Sequence, residues 1–276
     1  MAAARDQAGN RTATEVARIM EREVLPYIGD GDLASIRKRD IIEIIDRVAD
    51  RGATVRANRV LAWMRRFLNW CAARDLIDAN PAQFVEKPSR ETRRERVLDD
   101  GEIDLIWRAL DASPQPFRDG LRLLILTAAM RDEIFGARWS ELDEAGRCLK
   151  LPAERSKSGT ARIIPLSPPA LAIVEALPRF GANADRWLLT RCGKKPFSNF
   201  GHNKTALDGA APLPDWRLHD LRRTAATGMQ RLGFRLEVIE AALGHVGGSR
   251  AGIVGVYQRH AFHDETREAL DRIPKR

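Results

Sequence analysis

The chain has 276 residues, which at roughly 150 residues per domain points to two domains. Its 44% hydrophobic and 30% charged residues are the balance of a soluble globular protein, and 46 Lys+Arg against 38 Asp+Glu leave +8, a surplus that suits a polyanionic partner, nucleic acid before an anionic membrane. No apolar run nears the roughly 18 residues of a membrane span, MAAARDQAGNRTATEV lacks the apolar core of a secretory signal, and three scattered cysteines (Cys71, Cys148, Cys192) argue against a disulfide framework or CxxC-type zinc site and fit a reducing cytoplasm.

The first third reads as helical. Thr12 and Glu15 have capping-box spacing, and Val16, Ile19, Met20 and Val24 then share one helical face. Asp40 and Glu43 repeat that spacing around Ile41, Ile44, Ile45 and Val48, with Gly52 as the stop. A third helix over 55–73 gathers Val60, Leu61, Met64, Phe67, Leu68 and Cys71 into a stripe and leaves Arg56, Arg59, Arg65 and Arg66 off it. A short segment after Asn80-Pro81 completes a small helical domain. The following stretch, EKPSRETRRERV (86–97), holds almost nothing apolar and is expected to be exposed, either as a solvated tether or as a basic strap along a phosphate backbone.

The second domain opens at Asp99, again with a glutamate (Glu102) three residues on, and helices are expected at about 99–111 and 115–129. RCLKLPA (147–153) and ARIIPLS (161–167) read as a β-hairpin about a polar turn containing Gly159. Ser167-Pro168 starts a helix through Leu177, WLLT (187–190) reads as a lone strand, and helices resume over 220–232, 236–243 and around Tyr257. The fold class expected is mainly α with a small β-sheet (α+β).

Four segments carry residues suited to chemistry. WRLHDLRRTAATGMQRLG (216–233) sets His219 and Arg222 three apart, so on a helix they share a face and can both donate to one phosphate. The same segment also reads as an ordinary polar helix face. In LGHVGGSRAGIVGVYQRH (243–260), His245 follows a helix and precedes a glycine-rich loop, with Tyr257 twelve residues on. Only Tyr27 and Tyr257 are tyrosines, so no tyrosine stacking platform for bases exists, and Tyr257 alone reads as a packed core residue. Lys157, at the hairpin tip, is alone a solvated lysine. LTAAMRDEIFGARWSEL (126–142) carries a carboxylate at Glu133.

Taken in order, LHDLRRTAAT, LGH and GVYQRH with their spacing resemble the tyrosine recombinase (phage integrase) family, most closely integrases of prophages and integrative elements. The likeness covers essentially the whole chain: residues 1–90 are similar to the helical core-type DNA-binding domain, NRVLAWMRRFLNWCAARDLIDANP (58–81) especially, 91–97 to a basic linker, and 98–276 to the catalytic domain. The resemblance implies a site-specific recombinase that cuts and rejoins duplex DNA through a 3′-phosphotyrosyl intermediate. In that scheme Tyr257 is the nucleophile, Arg222 the second catalytic arginine, and His219 and His245 the two histidines. Lys157 is the general acid for the 5′-hydroxyl leaving group, and Glu133 buttresses a first catalytic arginine three residues before it.

At that arginine position the chain has Met130. Arg131 is adjacent, but one helical step rotates a side chain by about 100°. Losing one transition-state donor costs roughly 3–4 kcal/mol, or about 10²–10³ in rate. The expectation is an intact fold that binds DNA and cleaves it poorly. The resemblance further implies a clamp on duplex DNA, with mostly phosphate contacts and candidate contacts at Arg56, Arg59, Arg65, Arg66, Arg93 and Arg94. It implies no metal and no other cofactor. It also implies a homotetramer on two synapsed duplexes, a monomer or weak oligomer without DNA, a possible directionality factor, and a cytoplasmic, nucleoid-associated location. The family's extra N-terminal arm-binding domain is not expected in this chain. The amphipathic tail with Phe262, Leu270 and Ile273 is expected to dock on a neighbouring protomer or on its own domain. A type IB topoisomerase shares the catalytic constellation, and a non-catalytic DNA-binding or regulatory protein of the same fold would explain Met130. No His or carboxylate cluster has the spacing of a metal nuclease.

Overall fold

The computed structural model describes residues 13–91, 94–181, 186–245 and 262–273. The chain forms two compact units, residues 1–94 and 95–276.

The first unit contains α1 (Ala13–Glu23), a single turn α2 (Leu25–Ile28), α3 (Lys38–Asp50) and α4 (Thr54–Ala72). The apolar stripes meet as the periodicity demands: Ile41, Ile44, Ile45 and Val48 pack against Val60, Leu61, Met64, Leu68 and Cys71, with Phe67 at the edge. Gly52, at φ +75°, takes the left-handed conformation that ends α3. One detail of that helix differs from expectation. Asp40 does not start it; it sits in the first turn, and its carboxylate accepts the Arg37 N–H at 2.7 Å, so the helix begins at Lys38.

No helix follows Asn80-Pro81. Asn80 instead organises turns, donating to Arg65 O (3.1 Å) and Asn69 Oδ1 (2.6 Å) and accepting from Ala82 N (2.7 Å). Arg65 faces these turns rather than a free basic surface, donating through Nε to Ala82 O at 2.9 Å and through Nη2 to Val85 O. The polar stretch after Val85 is largely exposed, yet it is tied down near its start. Buried Asn58 donates to Ser89 O (2.9 Å) and Glu91 Oε1 (2.8 Å).

The second unit opens as the spacing predicts: Asp99 and Glu102 cap each other reciprocally, with both backbone bonds at 2.9 Å, ahead of α5 (Asp100–Ala109). Then come α6 (Phe117–Thr127), the short α7 (Arg131–Phe135), β1 (Leu142–Asp143), β2 (Cys148–Leu151), β3 (Arg162–Pro165), α8 (Pro168–Glu175), α9 (Phe200–Ala210), α10 (Leu218–Arg231), α11 (Leu236–Leu243) and α12 (His263–Arg272). The hairpin is present, with Leu149 opposite Ile164, and β1 adds a third antiparallel strand in the order β1-β2-β3.

The segment WLLT is not a strand. Only Trp187 bridges to Arg138, and Leu188 and Leu189 are buried in the core without a ladder. Helix α9 has no counterpart in the sequence reading, because FGHNKTALDGA carries two glycines and a broken apolar period. The main core joins Phe117, Leu121 and Leu124 of α6 to Leu149 and Ile164 of the sheet and Val174 of α8. A second cluster joins Met229 of α10, Val238 and Leu243 of α11, and Ala269 and Leu270 of α12. The C-terminal tail therefore packs on its own unit, and Arg267 ties it further by donating to Gly146 O at 2.9 Å. Among the described residues, no helix is long and apolar enough to cross a membrane.

Candidate functional site

The site is built around the start of α10. Asp220, 1% exposed, accepts the Arg217 N–H at 2.9 Å and so fixes where the helix begins. That start sets His219 and Arg222 on one face. Arg222 is 4% exposed, and its guanidinium reaches two helix ends: Nη1 donates to Ala128 O at 2.7 Å, and Nη2 donates to Leu243 O. Ala128 is the left-handed cap of α6 (φ +52°) and Leu243 the last residue of α11. Both acceptors are helix-terminal carbonyls, which carry partial negative charge and favour a buried cation.

A second arginine enters from the sheet. Arg162, at the start of β3, donates through Nη2 to Ala242 O (2.8 Å) and through Nη1 to Leu243 O (3.0 Å). Its Nη1 also lies 3.3 Å from both carboxylate oxygens of buried Glu133. Two guanidinium groups thus converge on one carbonyl. The approach requires glycine next door: Gly244 sits at φ +63°, and a Cβ there would lie 2.3 Å from Arg162 Nη1. Glu133 also accepts the Met130 N–H at 2.8 Å, capping α7.

The electrostatics follow from this crowding. Burial, and after it the neighbouring Arg162 cation, lower Arg222 to about 10 against the opposing pull of Glu133. At that value Arg222 remains charged at neutral pH. Burial also lowers Arg162, against the pull of Glu133. His219 is lowered by partial burial, then by Arg222 and Arg223, with a smaller push from Lys157. His245 is lowered by partial burial and then by Arg222. Both imidazoles are therefore neutral at pH 7, since the ordinary value is about 6.5.

The sign of the linkage is fixed by these directions. A histidine that titrates lower folded than unfolded lets the unfolded chain bind the extra proton first, so its stabilising contribution is present above about pH 6.5 and lost as pH falls below it. The melting temperature should drop between pH 7.5 and 5.5, and a His219→Gln, His245→Gln double variant should show a shallower drop by calorimetry. Equal slopes would contradict the lowered values.

Of the residues singled out from sequence, the structure brings together Arg222, His219, Glu133, the Met130 backbone and His245. Lys157 is exposed in the hairpin turn, and its charge is felt at His219, so that turn faces the same place. Arg131 is directed elsewhere: it pairs with Asp132 at 2.8 Å and lies 4.7 Å from the Phe200 ring centroid. Tyr257 and Arg93 lie outside the described residues.

In the first unit, Arg59 and Arg66 are exposed, Arg66 lying 5.5 Å from the Trp63 ring centroid. Arg56 is 3.2 Å from buried Glu23, which also pairs with Arg51. Burial pushes that carboxyl up, and the two arginines together outweigh it, leaving it below the ordinary range. Arg94 is half-buried and partnered. Sequence reasoning missed Arg162. The available signal was a cation opening the otherwise apolar run RIIPL, which needs a carboxylate once buried.

Comparison with known proteins places the chain in a family. Residues 1–87 match the phage integrase central domain, and residues 96–263 match the phage integrase family. Prophage integrase IntA of Escherichia coli (strain K12) is 28% identical over 263 residues, covering 94% of this chain and 63% of the relative. Prophage integrase IntZ of the same strain is 25% identical, covering 95% of this chain and 66% of its own length. The chain thus spans about two thirds of the length of these curated relatives. A lambda integrase tetramer bound to a Holliday junction has the same fold, with TM-score 0.69 and 18% identity over 88% of this chain and 75% of that one. A lambda integrase (75–356) dimer bound to a COC′ core site gives 0.68 and 17% over 86% and 89%. The chain belongs to the phage integrase family.

Proposed function

We propose that the chain is a site-specific tyrosine recombinase that breaks and rejoins duplex DNA. The observation that carries this reading is the convergence of Arg222, His219, His245 and Glu133 on one site that the Lys157 turn also faces. Arginine suits this place because its planar fork matches two phosphate oxygens and stays charged when buried. Tyr257 attacks the scissile phosphorus, the P–O5′ bond breaks, and a 3′-phosphotyrosyl bond forms. Neutral His219 can take the phenol proton, and Lys157 delivers one to the departing 5′-oxygen. The number of diester bonds is conserved, so the strand can be rejoined to a new 5′-hydroxyl with no energy source.

Met130 offers no N–H to the phosphate, so cleavage is slower than an arginine there would allow, by at most about 10²–10³. Residues 1–90 form the core-type DNA-binding part, residues 91–97 the basic linker and 98–276 the catalytic part. DNA, held mostly through phosphate, is the main partner. A tetramer on two synapsed duplexes is the acting form, as the lambda integrase tetramer on a Holliday junction suggests by analogy.

Arg59 and Arg66 are exposed on α4 and stand as the first unit's phosphate contacts. Replacing either by Ala should weaken binding to all sequences alike and flatten log K against log[salt] by about one. Arg65→Ala should instead destabilise the fold, because Ala82 O and Val85 O lose their donor. A titration in which Arg65→Ala flattened the salt slope without lowering stability would contradict that assignment.

The direct test of the reading is a plasmid bearing two copies of the DNA that flanks the gene. Deletion of the intervening segment is the expected product. Relaxation of supercoils without strand exchange would instead favour a type IB topoisomerase, and salt-dependent binding with no covalent step would favour a regulatory DNA-binding protein.

A further inference from the structure

The buried centre of the site carries an unbalanced charge. Arg162 and Arg222, whose side chain or whole residue is 11% and 4% exposed, face one carboxylate, Glu133, leaving a net +1 before Lys157 is counted. Two guanidiniums on one carbonyl repel each other, and the Arg162 cation adds to burial in lowering the affinity of Arg222 for its proton. A fold that needed only to anchor β3 could do so with an aliphatic residue and avoid that cost. Arg162 also keeps a donor in reserve: its Nε is buried and has no hydrogen-bond partner among the described residues. A buried N–H without an acceptor costs about 1–3 kcal/mol unless something arrives to accept it. The excess of buried positive charge and the uncommitted donor are features suited to binding an anion.

We propose that Arg162 is the second phosphate-binding guanidinium of this chain, standing on Glu133 and donating to the scissile phosphate that Arg222 also holds. The proposal rests on the recombinase reading for its ligand, a DNA phosphodiester, but the anion site itself does not depend on that reading. It also changes the meaning of Met130. The carboxylate that would support a cation from position 130 is already engaged by a cation from β3, so the site keeps two guanidiniums without an arginine on α7. Gly244 belongs to the same device, since only glycine leaves room for the Arg162 head.

The test has two arms. In the first, thermal unfolding is followed against inorganic phosphate at matched ionic strength, for the unaltered chain and for Arg162→Ala, Arg162→Lys and Arg108→Ala, the last an exposed arginine of α5 paired with Asp104. Phosphate should raise the melting temperature of the unaltered chain and of Arg108→Ala, should do so less for Arg162→Lys, which keeps the charge but loses the fork, and should not for Arg162→Ala. An equal shift in all four overturns the proposal whatever the chain does to DNA.

In the second, covalent-adduct rates are compared on duplexes with a normal phosphate or an uncharged methylphosphonate at the cleaved position. Arg162→Ala should slow the normal substrate by about 10²–10³ and leave the methylphosphonate nearly unaffected. Adding Met130→Arg to Arg162→Ala should restore most of the rate, whereas Met130→Arg alone should gain less than tenfold. Equal slowing on both substrates would mean that Arg162 only holds the fold and would overturn the proposal. Absence of any adduct from the unaltered chain would refute the recombinase reading, and the phosphate arm would then decide the anion site by itself.

Discussion

Tyr257→Phe should abolish the covalent protein–DNA adduct while leaving non-covalent binding nearly intact. The phenol oxygen is the atom that would become bonded to phosphorus, and phenylalanine has nothing to put in its place. Binding, in the proposed reading, is spread over many phosphate contacts. Removing one hydroxyl loses at most a single hydrogen bond of about 0.5–1.5 kcal/mol, a change in Kd of no more than about tenfold. The measurement is a pair of gels on one duplex: a native shift titrated at fixed salt and a denaturing gel for the adduct. If Tyr257→Phe still forms the adduct, another residue is the nucleophile. If it loses binding as well, the tyrosine is a packing residue.

The second large effect is expected at Arg222, where chemistry and stability are coupled. In its proposed role Arg222 donates to developing charge, so Arg222→Ala should cost about 10²–10³ in rate. It also strips Ala128 O and Leu243 O of their buried donor, at about 1–3 kcal/mol for each unsatisfied carbonyl. In a unit of this size each kcal/mol lowers the melting temperature by roughly 2–4 °C.

Arg222→Lys separates the two contributions. The ammonium can satisfy one carbonyl and part of the charge, but it cannot span both carbonyls and also reach a phosphate. Stability should recover substantially while the adduct rate stays low. A lysine variant that restored both would show that point charge, not the guanidinium fork, is what the site needs.

Much of the architecture was legible because local signals and burial agree. The stripes of α3 and α4 repeat at helical period and pack on each other, Asp99 and Glu102 cap the helix their spacing announces, and the hairpin closes around Gly159 at φ +70°. The failures share a cause: long-range contacts decided them. WLLT is apolar because it lines the core, not because it pairs in a sheet. Arg65 lies off the apolar stripe, yet turns 17 and 20 positions along the chain claim its donors. Helix α9 forms despite two glycines because Leu207 is buried against the main core.

The site divides the same way. Motif spacing pointed to His219, Arg222, His245, Lys157 and Glu133, which sit on elements with strong local signals. Arg162 was not visible, because its importance lies in meeting Glu133, 29 positions earlier, and the carbonyls of Ala242 and Leu243, 80 and 81 positions later. No local pattern encodes such a meeting.

The most direct measurement of the central claim is to trap and map the covalent link. The unaltered chain is mixed with a nicked duplex drawn from the DNA flanking its gene, so that the small 5′ fragment diffuses away after cleavage. The adduct is then digested and sequenced by mass spectrometry. The account predicts a nucleotide joined through a 3′-phosphate to the Tyr257 oxygen. Firm, salt-dependent binding with no adduct on any strand, or a nucleotide attached to a different residue, would contradict it.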